Sequence, residues 1–268
     1  MTGAIIAILI IAFLAGIEGV TDEWEFQQPI VACTLVGLAV GQPLSGVTLG
    51  ATLQLVTLGW MNIGAAVAPD PALAAVVAAW WVSGPAHLPV AAGVILALPL
   101  AWVGQVLTRL LRHLIVPLVA QADQAAAVGD LHRITRLHLY SAALQGLRVM
   151  LPTAVLLLIP ASVLRQGYQW LPTSVHGGLR VAASMLAVVS FAIVINMMAT
   201  KQVWPFFFLG FALATDQHLS LIALGMIGVA LALIYVSIQP TGRGPQPPTG
   251  GQSGDTTEDE LDRELDDL

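Results

Sequence analysis

Residues 59–77 read GWMNIGAAVAPDPALAAVV, and the fold turns on how this stretch is understood. It lies between apolar segments, yet its middle holds Asn62, Pro69, Asp70 and Pro71. Each proline removes a backbone donor, and Pro71 drives Asp70 away from helical conformation, so unwound chain is predicted around Asp70. Unwound backbone at membrane depth is tolerated only where it is buried in protein or lines a wet cavity. Gly59, Gly64 and the alanines leave room for other backbone or a ligand to come close. Just upstream, Gln54 joins Asn62 in offering an amide that both donates and accepts, which suits the hydroxyls of an uncharged polyol. Asp70 is then an acceptor for two such hydroxyls, or else a cap for the helix that starts after it.

The rest of the chain sets the surroundings. Apolar residues make up 57%, mean hydropathy is +0.82, and charged residues are only 10%, against about a quarter in a soluble domain. An all-α, polytopic membrane protein follows. Apolar runs cover 4–17, 30–41, 44–61, 72–82, 88–108, 142–163, 178–199, 203–214 and 219–239. At about 20 residues per crossing, the chain has room for roughly eight to ten full or partial spans. The runs 30–41, 72–82 and 203–214 are too short to cross, which predicts broken or re-entrant helices and favours a transporter over an anchor. The N-terminal AIIAILIIAFLAGI has no basic segment before it and no cleavage signal after it, so it is expected to remain as a helix. Cys33 is the sole cysteine, which excludes internal disulfides and cysteine-based metal sites.

Basic residues gather at Arg109, Arg112, Arg133, Arg136 and Arg148, in or beside one long polar connection, which the positive-inside rule assigns to the cytoplasm. Within it, residues 108–138 read as amphipathic helix interrupted near Pro117 and Gly129. Such a segment is expected to lie along the membrane surface with its arginines among headgroups. His113, His132 and His138 fall in the same region without metal-ligand spacing, so neither a metal nor any other cofactor is expected. Residues 1–240 form the membrane transport domain. Residues 241–268 are rich in Pro, Gly, Ser and Thr, then strongly acidic, and read as a disordered tail. Asp255, Glu258, Asp259, Glu260, Asp262, Glu264, Asp266 and Asp267 against Arg243 and Arg263 account for the net charge of −6.

Acidic residues elsewhere are few. Glu18, Asp22, Glu23 and Glu25 share the connection GIEGVTDEWEFQQPI, read as a solvated loop at the membrane edge. A charge at membrane depth costs about 2.5–3.5 kcal/mol, so Asp70, flanked by apolar small residues, needs a function or a partner. A second polar island holds Asn196, Lys201 and Pro205, where helix, break and short apolar segment follow one another again, a hint of an internal repeat. Trp204 and Phe206 to Phe208 read as interfacial anchors. No GxxxxGK[ST], HExxH or GxSxG occurs, and no basic aromatic surface for nucleic acid, so transport must be driven by an ion gradient or a partner protein.

The segments DEWEFQQPIVACTLVGLAVGQPLSGVTLGATLQLVTLGWMNIGAAVAPDPALA (22–74) and INMMATKQVWPFFFLGFALA (195–214) resemble the membrane IIC component of the mannose/fructose/sorbose family of bacterial phosphoenolpyruvate-dependent sugar phosphotransferase systems. GWMNIGAAVAPD is the most specific of the shared motifs, and the similarity runs from about residue 4 to 239. The resemblance implies a multi-pass permease of the bacterial inner membrane, paired with a IID subunit in a trimer of IIC–IID pairs. It implies an elevator-type movement carrying a hexose to IIB, which phosphorylates it and is recharged by IIA. No catalytic residue is implied in IIC itself. Carried over residue by residue, the sugar site falls on Gln54, Asn62 and Asp70, with Asp22, Glu23 and Asn196 as further candidates. Relatives resembling the mannose carriers tend to have Glu where this chain has Gln54. Two other readings stay open on the residues alone: an ion-gradient-driven secondary transporter, and a membrane scaffold or receptor.

Overall fold

The computed structural model describes residues 2–21, 24–60, 62, 66–215 and 218–238. The expected acidic tail, and Asp22 and Glu23, lie outside the described residues. The chain divides into a unit of residues 1–198 and a second unit from Ala199 onward.

The larger unit contains eight helices: α1 (Thr2–Thr21), α2 (Pro29–Val40), α3 (Pro43–Thr57), α4 (Pro71–Ser83), α5 (Val90–Ala127), α6 (Leu131–Leu157), α7 (Ala161–Trp170) and α8 (Thr173–Met198). At its centre stands α4, whose residues from Ala72 to Ser83 are all buried. A helix apolar all round is stable only when protein surrounds it, and α1, α2, α3, α5 and α6 supply that surround. With 13 residues it is about 20 Å long and falls short of a hydrocarbon core of about 30 Å. The alanines at 72, 74, 75, 78 and 79 let its neighbours come close, while Trp80 and Trp81 fill the far end.

Helices α2 and α3 form a tight hairpin. Gly41, at φ 77° in the left-handed region, ends α2 and bonds back to its last carbonyls, and Pro43 opens α3 where a missing N–H costs nothing. The two helices are pressed together at Gly37 and Gly46: a Cβ on Gly37 would lie 2.9 Å from the Gly46 Cα. Small residues are what allow such approach without a hydrophobic drive in lipid.

Three expectations are corrected here. Helix α5 runs without interruption through Pro117, as it does through Pro99. A proline costs one backbone bond and bends a helix, but 38 residues of otherwise continuous bonding carry the chain past it. The break falls instead at Gly129, φ 73°, after which the Asp130 carboxylate caps α6 by accepting from the Arg133 N–H at 3.0 Å. Residues 108–138 are thus the distal part of α5, the turn and the start of α6. Glu18 belongs to α1 and is buried, not part of a solvated loop: it accepts from the Thr21 hydroxyl at 2.8 Å and the Trp24 N–H at 2.7 Å, so it ties off the end of the helix. Arg148, grouped above with the polar connection, lies inside α6 with a buried side chain.

The second unit holds α9 (Trp204–Ala214) and α10 (Leu221–Ile238) among its described residues. Phe206 and Tyr235 meet edge to face with centroids 5.4 Å apart. Across the described residues, five helices (α1, α5, α6, α8 and α10) are long and apolar enough to cross a membrane. The chain is an all-α multi-pass membrane protein.

Candidate functional site

Trp60, Asn62 and residues 67–71 of the stretch quoted first line a cavity of about 520 Å³ in the larger unit, well within the range that holds small-molecule ligands. Helix α3 ends at Thr57, and beyond it the Asn62 side-chain oxygen accepts from the Ala68 N–H at 3.0 Å, closing a loop across the break. The chain from Val67 to Asp70 then lies along α5. The Gln105 amide donates to the Val67 carbonyl, and the Asp70 N–H donates to the Ala101 carbonyl at 3.0 Å. Helix α5 thus supplies partners on either side of Pro69, and the Asp70 carboxylate satisfies the Ala72 N–H just past Pro71. Asp70 itself is extended, φ −82° and ψ 110°, as a residue before proline must be.

Asp70 serves two structural ends at once. Its Oδ1 accepts from the Ala72 N–H at 2.9 Å and so caps α4. Its Oδ2 forms an ion pair with Arg148 Nη1, and both side chains are only 7% exposed. The same Nη1 donates to Thr108 Oγ1 on α5. Each carboxylate oxygen has a second lone pair left over, so cap and ion pair do not exhaust the acceptor.

The sequence-predicted residues divide clearly. Gln54, Asn62 and Asp70 come together on this cavity. Gln54 is half-buried, donates to Gln28 Oε1 at 2.8 Å and accepts from the Ile30 N–H at 3.3 Å, linking α3 to the first turn of α2. Asn196 is exposed on α8 and is not among the cavity-lining residues. That helix meets the end of α3 one to two turns earlier, where Ser190 Oγ donates to the Val56 carbonyl at 2.6 Å. Sequence reasoning missed Gln28, Thr108 and Arg148, which also line the cavity. One signal was available for Arg148: an arginine inside the apolar run 142–163, where a charge demands a partner.

Gln54→Ala removes an acceptor for the Ile30 N–H and strands the Gln28 amide. Losing one hydrogen-bonding partner of this kind costs about 1–1.5 kcal/mol of stability. Thermal unfolding of the variant beside wild type reads this directly; an unchanged midpoint would mean that Gln54 does not hold α2 and α3 together.

Comparison with known proteins places the chain in one family. Residues 2–234 match a family model described as the sorbose-specific IIC component of the phosphotransferase system. The mannose-specific EIIC component of Escherichia coli K12 is 41% identical over 237 residues, covering 88% of this chain and 89% of the relative. A solved structure described as a membrane protein is 41% identical, covers 90% of this chain and 97% of its own, and superposes with a TM-score of 0.81. A cryo-EM structure of the mannose transporter ManYZ with microcin E492 is likewise 41% identical, covering 91% and 99%, with a TM-score of 0.59.

Proposed function

Because the chain belongs to the sorbose-specific IIC family of the phosphotransferase system, we propose that it carries a hexose through the cavity at Asp70 and delivers it to a IIB subunit for phosphorylation. It is a sugar permease subunit, and phosphoryl transfer is the work of IIA and IIB. The observation that carries the proposal is the cavity wall itself, where amide and carboxylate groups converge on unwound chain. An uncharged sugar needs several such hydrogen bonds and no fixed counter-charge. Gln54, Asn62 and Asp70 supply them, and Asp22, Glu23 and Asn196 are further candidates from the sequence resemblance.

Movement is of the elevator type in this reading. The short α2, α3 and α4 are re-entrant or broken elements and form a block that shifts against a scaffold. Two solved relatives, equally identical in sequence at 41%, superpose on this chain with TM-scores of 0.81 and 0.59. That spread supports more than one arrangement for chains of this family. The scaffold includes a IID subunit, in a trimer of IIC–IID pairs in the bacterial inner membrane. Residues 1–240 are the transport domain, and the segment 108–138 with its four exposed arginines faces the cytoplasm. Phosphorylation then traps the sugar by charge.

Uptake of radiolabelled mannose, fructose, sorbose and N-acetylgalactosamine tests this, in cells expressing the chain with its IID, with and without IIB. Sugar phosphate should accumulate only when IIB is present. Unmodified sugar accumulating without IIB, and collapsing with the ion gradient, would overturn the proposal in favour of a secondary transporter.

A further inference from the structure

The sugar-permease reading gives Asp70 a role and leaves Arg148 without one, although the two side chains are paired and equally buried. We propose that Arg148 is a positioning residue that holds the Asp70 carboxylate aimed at the sugar, without being a sugar ligand itself. The inference rests on the placement of the sugar site at Asp70.

The geometry argues for an indirect role. Arg148 Nη1 is committed twice, to Asp70 Oδ2 and to Thr108 Oγ1. Thr108 is anchored in turn, donating to the Gly104 carbonyl at 2.8 Å. Arg148 Nε is buried and makes no hydrogen bond, so of the guanidinium nitrogens only Nη2 remains within reach of a ligand in the cavity. The guanidinium is therefore turned toward Asp70 and held there by α5. On its other side the carboxylate is fixed by the cap bond to Ala72. Held from both ends, its remaining lone pairs take a set direction.

The charge matters as much as the aim. The carboxylate stands among apolar helices, where an isolated charge is costly, with the opposite charge of Arg148 beside it. Ionised, it is an acceptor on both oxygens and makes hydrogen bonds about twice as strong as a neutral group does. Arg148 supplies that opposite charge from 78 residues away in sequence, across a helix boundary. Thus Arg148 should control how strongly Asp70 binds its hydroxyl, and should have no hydroxyl of its own.

This prediction separates a positioning residue from both a ligand and a structural strut. The purified IIC–IID complex is titrated calorimetrically with the tightest binder among mannose, fructose and sorbose, then with analogues of that sugar each lacking one hydroxyl. In the wild-type complex each missing hydroxyl that matters weakens binding, and Asp70→Asn should erase the penalty at the hydroxyl Asp70 holds. Arg148→Gln should weaken binding of the parent sugar about tenfold, the worth of one charge-assisted bond, and erase the penalty at that same hydroxyl. Arg148→Lys, which keeps charge without the fork, should fall between. Erasure at a different hydroxyl would make Arg148 a direct ligand and overturn the inference. Uniform weakening with every penalty intact would make it a strut and overturn it too. Normal binding by Arg148→Gln beside failed binding by Asp70→Asn would also sink it, while leaving the sugar site at Asp70 standing. Normal binding by Asp70→Asn would instead bring down the site and this inference together. Should Arg148→Gln fail to assemble with IID, Thr108→Val carries the test, since it frees the guanidinium from α5 and removes no charge.

Discussion

Asp70→Asn should abolish sugar uptake while leaving the chain assembled with its IID subunit. The amide oxygen can still accept from the Ala72 N–H, so the cap on α4 survives in outline. What is lost is the negative charge, and with it the charge-assisted bonds to sugar hydroxyls, each worth about 1.5–3 kcal/mol. Two such bonds lost together put uptake below about one hundredth of wild type. A second cost falls on Arg148, whose buried cation would lose its counter-charge. Breaking a buried pair on one side costs about 3–5 kcal/mol where water cannot reach; the adjoining cavity places this site at or below the lower end. Asp70→Asn with Arg148→Gln removes both charges and the cost of an unpaired cation, but should not restore transport. Uptake per copy of assembled IIC–IID complex measures the two effects separately. Normal uptake by Asp70→Asn would remove Asp70 from the sugar site.

What could be read from the sequence, and what could not, follows from the range of the interactions. The short apolar runs 30–41, 72–82 and 203–214 became α2, α4 and α9 because their limits are written locally: Pro29, Pro71 and Pro205 in first turns, Gly41 and Gly84 just past the ends. The unwound chain at Asp70 was equally legible, since each proline acts on its immediate neighbour. Pro117 was misread because a local rule sets a cost and does not say whether a long helix absorbs it. Glu18 was misread because its partners are the last residue of α1, Thr21, and the Trp24 N–H just past it, so its burial depends on where the helix ends. The ion pair lay furthest from view. Asp70 and Arg148 meet only when α4, α5 and α6 pack, and nothing in the spacing of the residues announces that packing. The membrane cost of an isolated arginine was the one available clue, and it gives the need for a partner without its identity.

The packing of α5 against Asp70 has a consequence of its own, at a residue with no polar atoms in its side chain. Gly104→Ala should disable transport nearly as completely as the loss of the carboxylate. A Cβ at position 104 would lie 2.6 Å from the Asp70 Cβ and 3.1 Å from its Cγ and Oδ2. Neither side can easily give. The Asp70 backbone is bonded to the Ala101 carbonyl at 3.0 Å on one side and leads directly into α4 on the other. Position 104 is buried within a helix, and its carbonyl is bonded to Thr108. The conflict is therefore relieved by moving α5 away from the unwound chain or by rotating the Asp70 side chain, and either movement pulls the carboxylate off Arg148. Overpacking of this kind costs about 1–3 kcal/mol in stability, too little to prevent assembly in the membrane. Its effect on uptake should be larger, because the acceptor is displaced by a fraction of an ångström or more from a site whose bonds depend on direction. Uptake should fall about a hundredfold or more, the loss appearing in half-saturation before maximal rate. Gly3→Ala provides the control: a Cβ there meets nothing within 4 Å, and alanine is the better helix former. Equal uptake by the two variants would mean that α5 does not set the position of Asp70.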